Sequence, residues 1–240
     1  MLIQLWGVKK VYGEGGQAVT ALNDLSLDFS PGTFTAIMGP SGSGKSTLLH
    51  CAAGLDSVTD GRVEIAGTEV GRLDEHARTL LRRKHIGFVF QAFNLVTSLT
   101  ASQNVELPLR LAGRRPPRGA VDEALAEVGL ADRAHYRPSE LSGGQQQRVA
   151  IARALITKPD VVFADEPTGA LDTNTSKEIL DLLRRMVVHY GQTIVAVTHD
   201  PMVASHADRV VFLKDGRVVD ELKQTSPAEL IAARMARLEA

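Results

Sequence analysis

The spacing of apolar residues along the chain predicts a regular exchange of strands and helices. Residues 1–29 alternate polar and apolar positions on either side of a glycine-rich turn at 13–16, which predicts an antiparallel hairpin. Short apolar runs predict six further strands, at Phe34–Met38, 62–66, Ile86–Phe90, 161–164, Thr193–Val197 and 209–213. Apolar residues at helical spacing predict helices that begin at Lys45 and lie near 101–112, 120–129 and 145–157.

These elements predict an α/β fold with a mostly parallel sheet, because strands separated by helical segments recur at both ends of the chain. The segment 92–158 has few β-branched runs and is interpreted as an inserted helical subdomain. The N-terminal hairpin is interpreted as a small antiparallel addition. We expect one domain over residues 1–240, whose core combines 1–91 with 159–240. A chain of 240 residues with 44% hydrophobic content can bury the core of such a domain.

Composition and charge narrow the functional classes. The net charge of −1 argues against a protein that coats nucleic acid, so no nucleic-acid partner is expected. The single cysteine, Cys51, has no partner for an internal disulfide. No apolar run approaches the roughly 18 residues that span a bilayer, and the N-terminus lacks the pattern of a signal peptide. We expect a cytosolic chain that reaches a membrane through a partner.

Four of the predicted strands end at polar groups that suit phosphate or metal chemistry. The groups are a glycine-rich loop at 39–47, Gln91, the pair Asp165 and Glu166, and His199. Ligands gather at the carboxyl ends of strands in open parallel sheets. If the four strands share one sheet, these groups meet at one edge of it.

The loop at 39–47 reads GPSGSGKST and fits the phosphate-loop pattern Gly-x-x-x-x-Gly-Lys-Ser between a strand and a helix. Its glycines let backbone N–H groups turn towards phosphate oxygens, and the helix N-terminus adds its positive end. Lys45 is expected to reach the β and γ phosphates, and Ser46 to offer its hydroxyl to Mg²⁺. The predicted nucleotide-binding residues of the loop are Gly39, Ser41, Gly42, Ser43, Gly44, Lys45, Ser46 and Thr47.

The acidic pair supplies the predicted metal and base chemistry. Magnesium prefers oxygen ligands, so Asp165 is predicted to hold it directly or through water. Glu166 is predicted to polarise the attacking water. A lone Gln or His at a strand end is more often structural, and only the shared edge gives Gln91 and His199 a functional interpretation. There, Gln91 is predicted to ligate Mg²⁺ and sense the water, and His199 to bond the γ-phosphate.

A second helix start of the anion-binding kind lies in the sequence LSGGQQQRVAIARAL, which begins at Leu141. Ser142 is a natural N-cap, and the two glycines after it free the backbone. The helix N-terminus that follows favours an anion. The sequence has only one phosphate loop, so a second phosphate-facing element suggests a site shared between two chains.

Together these motifs resemble the nucleotide-binding subunits of ABC transporters over nearly the whole chain. The resemblance implies a P-loop NTPase core of the RecA-like type that binds ATP and Mg²⁺ and hydrolyses ATP, with Glu166 as the base. It implies that Tyr12 stacks on adenine, although taken alone Tyr12 is more simply a strand residue. The other nucleotide contacts it implies are Ser142, Gly143, Gly144 and Gln145 in the signature, and Asp172 in the D-loop.

The resemblance also implies partners. Two subunits form a head-to-tail homodimer that holds each ATP between one chain's phosphate loop and the other's Ser142 and Gly144. Segments 85–109 and 164–172 most resemble subunits that pair with MacB-like or FtsX-like permeases, although Ala92, Gln103 and Ala170 depart from that pattern. The expected location is therefore the cytoplasmic face of the membrane, reached through an integral-membrane permease.

The expected permease contact lies close to Gln91. The side chains of Phe93, Leu95, Val96 and Leu99 follow it and alternate with polar residues. We predict that exposed members of this set line a groove for a permease helix. The alternative is that all four pack the helical insertion onto the core.

Two other functions remain open at this stage. A soluble ABC ATPase that acts on DNA or ribosomes belongs to a class that usually carries coiled coils, zinc modules or two ATPase units, and these are not seen in this sequence. A P-loop kinase or GTPase leaves the LSGGQ helix unexplained. The leading hypothesis is an ATPase of a membrane transport or mechanotransmission complex.

Overall fold

The computed structural model describes residues 1–239, in which ten strands form two sheets. The strands are β1 (Ile3–Tyr12), β2 (Val19–Phe29), β3 (Phe34–Met38), β4 (Asp60–Ile65), β5 (Thr68–Glu69), β6 (Ile86–Phe90), β7 (Val161–Asp165), β8 (Thr193–Val197), β9 (Arg209–Lys214) and β10 (Arg217–Leu222). The helices are α1 (Lys45–Ala52), α2 (Glu75–His85), α3 (Ala101–Leu111), α4 (Ala120–Glu127), α5 (Gly143–Leu155), α6 (Thr173–Tyr190), α7 (Pro201–Ser205) and α8 (Ala228–Glu239). Among these helices, none is both long and apolar enough to cross a bilayer.

The central sheet has six strands in the order β10-β9-β3-β8-β7-β6. Neighbours from β9 to β6 run parallel, and β10 is antiparallel to β9. The predicted, mostly parallel sheet is therefore confirmed. Its register brings the strand ends level, because Val197 lies beside both Ile37 and Asp165, and Asp165 lies beside Phe90.

Both faces of this sheet are covered, which explains why its inner strands are apolar throughout. Every residue of β3 is buried. Alternation sends Phe34 and Met38 into a core cluster that includes α5 and α6, and sends Ile37 into a second cluster that includes α1 and the N-terminal strands. The strand that leads into the phosphate loop is thus fixed from both sides.

The second sheet is antiparallel, with the order β2-β1-β4-β5. The predicted hairpin is confirmed, since Ile3 pairs with Phe29. Strand β1 also pairs with β4 on its other side, where Ile3 lies beside Ile65. The predicted strand at 62–66 therefore belongs to this sheet, and it begins earlier, at Asp60.

The segment after β6 holds α3, α4 and α5, which pack on one another. Two of these helices begin with reciprocal caps, because Thr100 pairs with Gln103 and Ser142 with Gln145. Helix α5 begins two residues earlier than its apolar spacing suggests. The apolar pattern did not lead to a prediction of α2, α6, α7, α8, β5 or β10.

Candidate nucleotide-binding and catalytic site

The four polar groups predicted from strand ends do meet at one edge of the central sheet. The parallel register places the ends of β3, β8, β7 and β6 side by side in that order. Glu166 joins two of these ends directly, because its N–H donates to the carbonyl of Val197 at 2.9 Å. The edge therefore carries a glycine loop, two carboxylates, an imidazole and an amide in one row.

The glycine loop needs residues without a side chain at two positions. Gly42 and Gly44 have φ angles of +78° and +99°, in the region that side chains disfavour. A Cβ on Gly44 would lie 2.4 Å from the carbonyl oxygen of Ala21, whereas a Cβ on Gly42 would meet nothing within 4 Å. The loop is thus pressed against β2 on one side and open on the other.

The open side of this loop has the properties of an anion cradle. Lys45 Nζ donates to the carbonyl oxygens of Gly39 and Pro40, both at 2.8 Å, and these bonds fold the ammonium over the loop. The hydroxyl of Ser43 is buried and has no hydrogen-bond partner within residues 1–239. A buried polar atom without a partner is costly. A phosphate oxygen is the kind of partner that this group lacks.

Charges across the loop influence one another. Burial lowers the pKa of Lys45, and the negative charges of Glu166 and Asp165 oppose that shift. Burial raises the pKa of Asp165, the charge of Glu166 raises it further, and His50 and Lys45 act against both. A cation bound beside Asp165 would offset the effects of burial and of the neighbouring Glu166 charge.

The donor set fits Mg²⁺ held jointly with a nucleotide. Within residues 1–239, no group of three or more His, Cys, Asp or Glu side chains is placed to hold a metal ion by itself. Magnesium usually takes one or two carboxylates together with substrate phosphates and waters. Asp165 at the end of β7, Ser46 in the first turn of α1 and the amide oxygen of Gln91 after β6 are protein oxygens that suit this arrangement.

Glu166 is held in one orientation by the end of β8. Its Oε1 accepts a bond from the His199 N–H at 3.1 Å and lies 2.8 Å from His199 Nδ1, while Oε2 accepts from the Thr198 hydroxyl at 3.2 Å. The backbone of Glu166 has a φ of +46°, which costs on the order of 1–3 kcal/mol in a residue with a Cβ. Surrounding bonds therefore hold the carboxylate where the chain alone would not put it.

Thr198 is a site residue that the sequence reasoning missed. It immediately precedes His199 and is fully buried. Its hydroxyl bonds both to Glu166 and to the N–H of Asp200. The sequence signal for Thr198 is a hydroxyl residue at the end of an apolar strand, directly before His199.

Gln91 lies where the loop after Glu166 passes. A Cβ on Gly169 would lie 2.8 Å from Gln91 Nε2, so this glycine permits the amide to pack against the backbone. The amide is thus joined to the segment that carries the acidic pair, as expected from the adjacent strands β6 and β7.

Tyr12 ends β1 and is 42% exposed. Its hydroxyl donates to Asp56 Oδ2 at 2.7 Å, and the ammonium of Lys10 lies 4.8 Å from the centre of its ring. An exposed ring fixed at its hydroxyl suits stacking against a flat ligand. The sequence reasoning missed Asp56, because 44 residues separate it from Tyr12 and no local pattern marks it.

The signature segment is prepared at the start of α5, but it bonds within itself. Ser142 Oγ accepts from the N–H of Gln145, and Gln145 Oε1 accepts from the N–H of Ser142. Gly144 is buried against Thr175 of α6. Asp172 caps α6 by accepting from the N–H groups of Asn174 and Thr175. Among the described residues, the hydrogen bonds of Ser142 do not reach the phosphate loop.

Comparison with known proteins decides the family. Residues 22–169 match the family model described as ABC transporter. The chain belongs to the ABC transporter family. The macrolide export ATP-binding/permease protein MacB of Pectobacterium atrosepticum is 47% identical over 234 residues, and MacB of Salmonella typhimurium is 46% identical over 220 residues. These alignments cover 97% and 91% of this chain but 36% and 34% of the relatives, so the chain spans about a third of their length.

Solved structures of ABC cassettes share the fold over more than nine-tenths of the chain. The ATP-binding cassette MJ0796, in a dimeric post-hydrolysis state bound to ADP and Pi, is 45% identical with a TM-score of 0.83. That match covers 92% of this chain and 98% of the other. The cassette cbiO1 of Clostridium perfringens is 30% identical with a TM-score of 0.84, covering 98% and 92%. This ABC protein is accordingly an ATP-binding cassette with a P-loop NTPase fold.

Proposed function

We propose that the chain is the ATP-hydrolysing subunit of a membrane transport or mechanotransmission complex and drives an integral-membrane permease of the MacB or FtsX type. The observation that carries this proposal is the row of catalytic groups at one sheet edge in a chain that also presents an apolar groove for a partner. In this reading, residues 92–158 form the helical subdomain, and the chain works at the cytoplasmic face of the membrane.

The proposed chemistry assigns one task to each group at the edge. The backbone of the phosphate loop and Lys45 hold the phosphates. Asp165, Ser46 and Gln91 would hold Mg²⁺, which would neutralise negative charge on the phosphate oxygens. Glu166 accepts a proton from the attacking water, and His199 orients Glu166 and reaches the γ-phosphate.

A head-to-tail homodimer completes the proposed site. The solved relative MJ0796 is a dimer with ADP and Pi. Here the start of α5 has a cap and a positive helix end. Among the described residues, it makes no hydrogen bond to the chain's own phosphate loop. We infer that Ser142, Gly143, Gly144 and Gln145 of each chain face the nucleotide held by the other, with Asp172 near the same contact.

The groove proposed for the permease lies between the α2–β6 segment and α3. Its volume is about 680 Å³. Leu80 and Leu111 line it and are 49% and 66% exposed. Phe88 and Phe90 also line it, and the centres of their stacked rings lie 5.5 Å apart. Apolar surface of this kind contributes roughly 25 cal/mol per Å² when a partner covers it. The groove therefore fits the apolar face of a short helix.

The charges around the groove indicate what else that helix carries. Five cationic residues and no acidic residue line it. They are Arg82, Arg83, Lys84, Arg114 and Arg153. Complementary charge steers partners and excludes wrong ones. We therefore expect the permease segment to present acidic side chains beside its apolar face.

The four apolar side chains predicted after Gln91 are not among the described residues that line this groove. Val96 is 40% exposed, but Phe93, Leu95 and Leu99 are half-buried, and Leu95 packs against the core. For this set, packing of the insertion onto the core is the main role. The exposed apolar residues for docking come instead from α2 and α3.

Membrane fractionation of the chain, expressed with its genomic neighbours, tests the proposal. Leu111→Glu puts a charge at the groove and is expected to release the subunit into the soluble fraction without loss of ATP hydrolysis in isolation. Val188→Glu is the matched control, because Val188 is 61% exposed on α6 and lies outside the groove. A wild-type chain found wholly in the soluble fraction contradicts the permease and favours a soluble ABC ATPase.

A further inference from the structure

Asp56 lies at the centre of a small network beside the proposed nucleotide site. Its Oδ2 accepts the Tyr12 hydroxyl at 2.7 Å, and its Oδ1 accepts from Lys10 Nζ at 2.7 Å. Lys10 is itself 8% exposed and also donates to the carbonyl of Ser57 at 2.7 Å. A carboxylate bonded on both oxygens, one of them to a buried ammonium, has little freedom to turn.

The network ties β1 to the end of the helix that begins in the phosphate loop. The N–H of Asp56 donates to the carbonyl of His50 in α1 at 3.2 Å. Tyr12 and Lys10 lie on β1, two residues apart and therefore on the same face of the strand. Asp56 thus fixes the position of the Tyr12 ring relative to α1.

The protonation states agree with this geometry. Burial pushes the pKa of Asp56 up, but bonds from Lys10 and Tyr12 outweigh it, and the pKa lies below its usual value. Burial and the bond to Asp56 raise the pKa of Tyr12, with Thr47 acting in the opposite direction. At neutral pH the pair is therefore a neutral phenol that donates to an ionised carboxylate.

We propose that Asp56 is a positioning residue for the nucleotide base: it holds the Tyr12 ring in the orientation that stacks on adenine. This inference rests on the proposed role of Tyr12 in the proposed ATPase. The ammonium of Lys10 lies over one face of the ring, so the base stacks on the opposite face. A ring held before binding spares the ligand the entropic cost of ordering it.

The test separates the base from the phosphates by comparing two ligands that are not turned over, Mg-ADP and Mg-pyrophosphate. Asp56→Ala is expected to weaken ADP binding about 2- to 10-fold, the range for ordering one side chain. Pyrophosphate affinity is expected to stay unchanged, because it does not touch Tyr12. Isothermal titration calorimetry on the full chain measures both, and thermal unfolding checks that each variant folds.

Two further variants show whether Asp56 acts through the Tyr12 hydroxyl. Tyr12→Phe keeps the ring, removes its donor and is expected to weaken ADP binding as much as Asp56→Ala does. Combining the two changes then adds little, as for residues that act through one contact. Asp60→Ala is the control, because Asp60 is exposed nearby and, in the part of the chain that the structure describes, its side chain accepts a bond only from the N–H of the neighbouring Gly61.

Each other outcome overturns the inference in a recognisable way. Equal loss of ADP and pyrophosphate affinity in Asp56→Ala means that Asp56 supports the loop and not the ring. Unchanged ADP affinity in Tyr12→Ala means that Tyr12 is not a base platform, although the ATPase proposal stands. A wild-type chain that binds neither ligand removes the proposed function, and this inference falls with it.

Discussion

At the scale of single residues, the site depends on a carboxylate whose position is set by its neighbours. Glu166→Gln keeps the size of the side chain and an acceptor for Thr198 and His199, but it removes the proton acceptor. We expect ATP binding to persist and the rate of phosphate release to fall about 10²–10⁴-fold, the usual contribution of a general base. Steady-state phosphate release measures the rate, and a separate nucleotide-binding measurement checks that ATP still binds.

The control for this prediction is Glu127→Gln, the same change at an exposed position at the end of α4. It should leave turnover unchanged. Hydrolysis by Glu166→Gln within a few-fold of wild type would mean that another group accepts the proton.

The charge of Asp165 is expected to lower the stability of the fold. Its pKa is raised by burial and by Glu166. A carboxyl with a raised folded-state pKa stabilises the fold below its unfolded pKa and loses that contribution as the pH rises through the folded pKa. At neutral pH the ionised Asp165 therefore opposes folding when the cation and nucleotide are not bound.

We predict that Asp165→Asn raises the melting temperature at pH 7 without nucleotide, by about 2–4 °C for each kcal/mol gained. The gain should shrink as the pH is lowered through the raised pKa of Asp165, because the wild-type carboxyl then becomes neutral too. Asp172→Asn should instead lower the melting temperature at pH 7, because bonds from Thr175 lower the pKa of Asp172. A melting temperature of Asp165→Asn at or below wild type at pH 7 contradicts this reading.

At the scale of elements, the contact of α5 with α6 has no room for a further atom. A Cβ on Gly144 would lie 2.2 Å from Thr175 Cγ2, whereas one on Gly143 would lie 3.4 Å from its nearest neighbour in Leu171. Forcing an extra carbon into such a contact costs typically about 1–3 kcal/mol. Gly144→Ala should therefore lower the melting temperature, and Gly143→Ala should leave it close to wild type.

The same contact supplies a rescue experiment. Thr175→Ser removes the methyl group that obstructs Gly144→Ala, and it keeps the hydroxyl that donates to Asp172 at 2.6 Å. The double variant should recover most of the stability lost by Gly144→Ala alone. If thermal unfolding shows no recovery, the glycine is required for another reason than space.

The same scale shows how far sequence patterns reach. The strands β3, β6 and β8 are found at their predicted bounds, because parallel strands covered on both faces appear as short apolar runs. The sequence of α6 does contain a helical pattern, since Ile179, Leu183 and Met186 recur at helical spacing and are buried. The sequence of α2 gives only a weak helical signal, because eight of the eleven residues in EHARTLLRRKH are polar or charged.

Contacts between distant segments account for what sequence reasoning missed in the site. Groups at strand ends were foreseeable, because a parallel sheet aligns its carboxyl ends wherever its strands lie in the chain. The bond of Tyr12 to Asp56 and the packing of Gln91 on Gly169 arise from loops that meet only after folding. The left-handed backbone of Glu166 likewise belongs to the tertiary structure, since nothing local favours it.

At the scale of the whole molecule, the two phosphate-facing elements of one chain are physically connected. The buried Gln147 of α5 donates to the carbonyl of Pro167, which directly follows Glu166. Gly144 contacts Thr175, the residue bonded to Asp172. If a second chain displaces the start of α5, we expect the displacement to reach the loop that carries Glu166.

A shared site predicts that two inactive chains restore activity when mixed. Lys45→Ala removes the cation of the phosphate loop, and Ser142→Arg blocks the signature, so each homodimer has two damaged sites. In a head-to-tail mixed dimer, one site combines the intact loop of the Ser142→Arg chain with the intact signature of the Lys45→Ala chain. Random pairing makes half of the dimers mixed, so about a quarter of wild-type phosphate release is expected.

The control mixture pairs Lys45→Ala with a chain that carries both changes, because no pairing of these two rebuilds a site. It should stay inactive at every ratio. If the two sites hydrolyse ATP only when both are intact, the mixed dimer is inactive and no rescue is seen. Formation of the dimer must therefore be measured directly. Glu166→Gln protein with bound ATP should sediment as a dimer, since it holds the nucleotide between the chains without hydrolysing it. If it remains monomeric at high concentration with its permease present, the start of α5 has another ligand and the shared site is wrong.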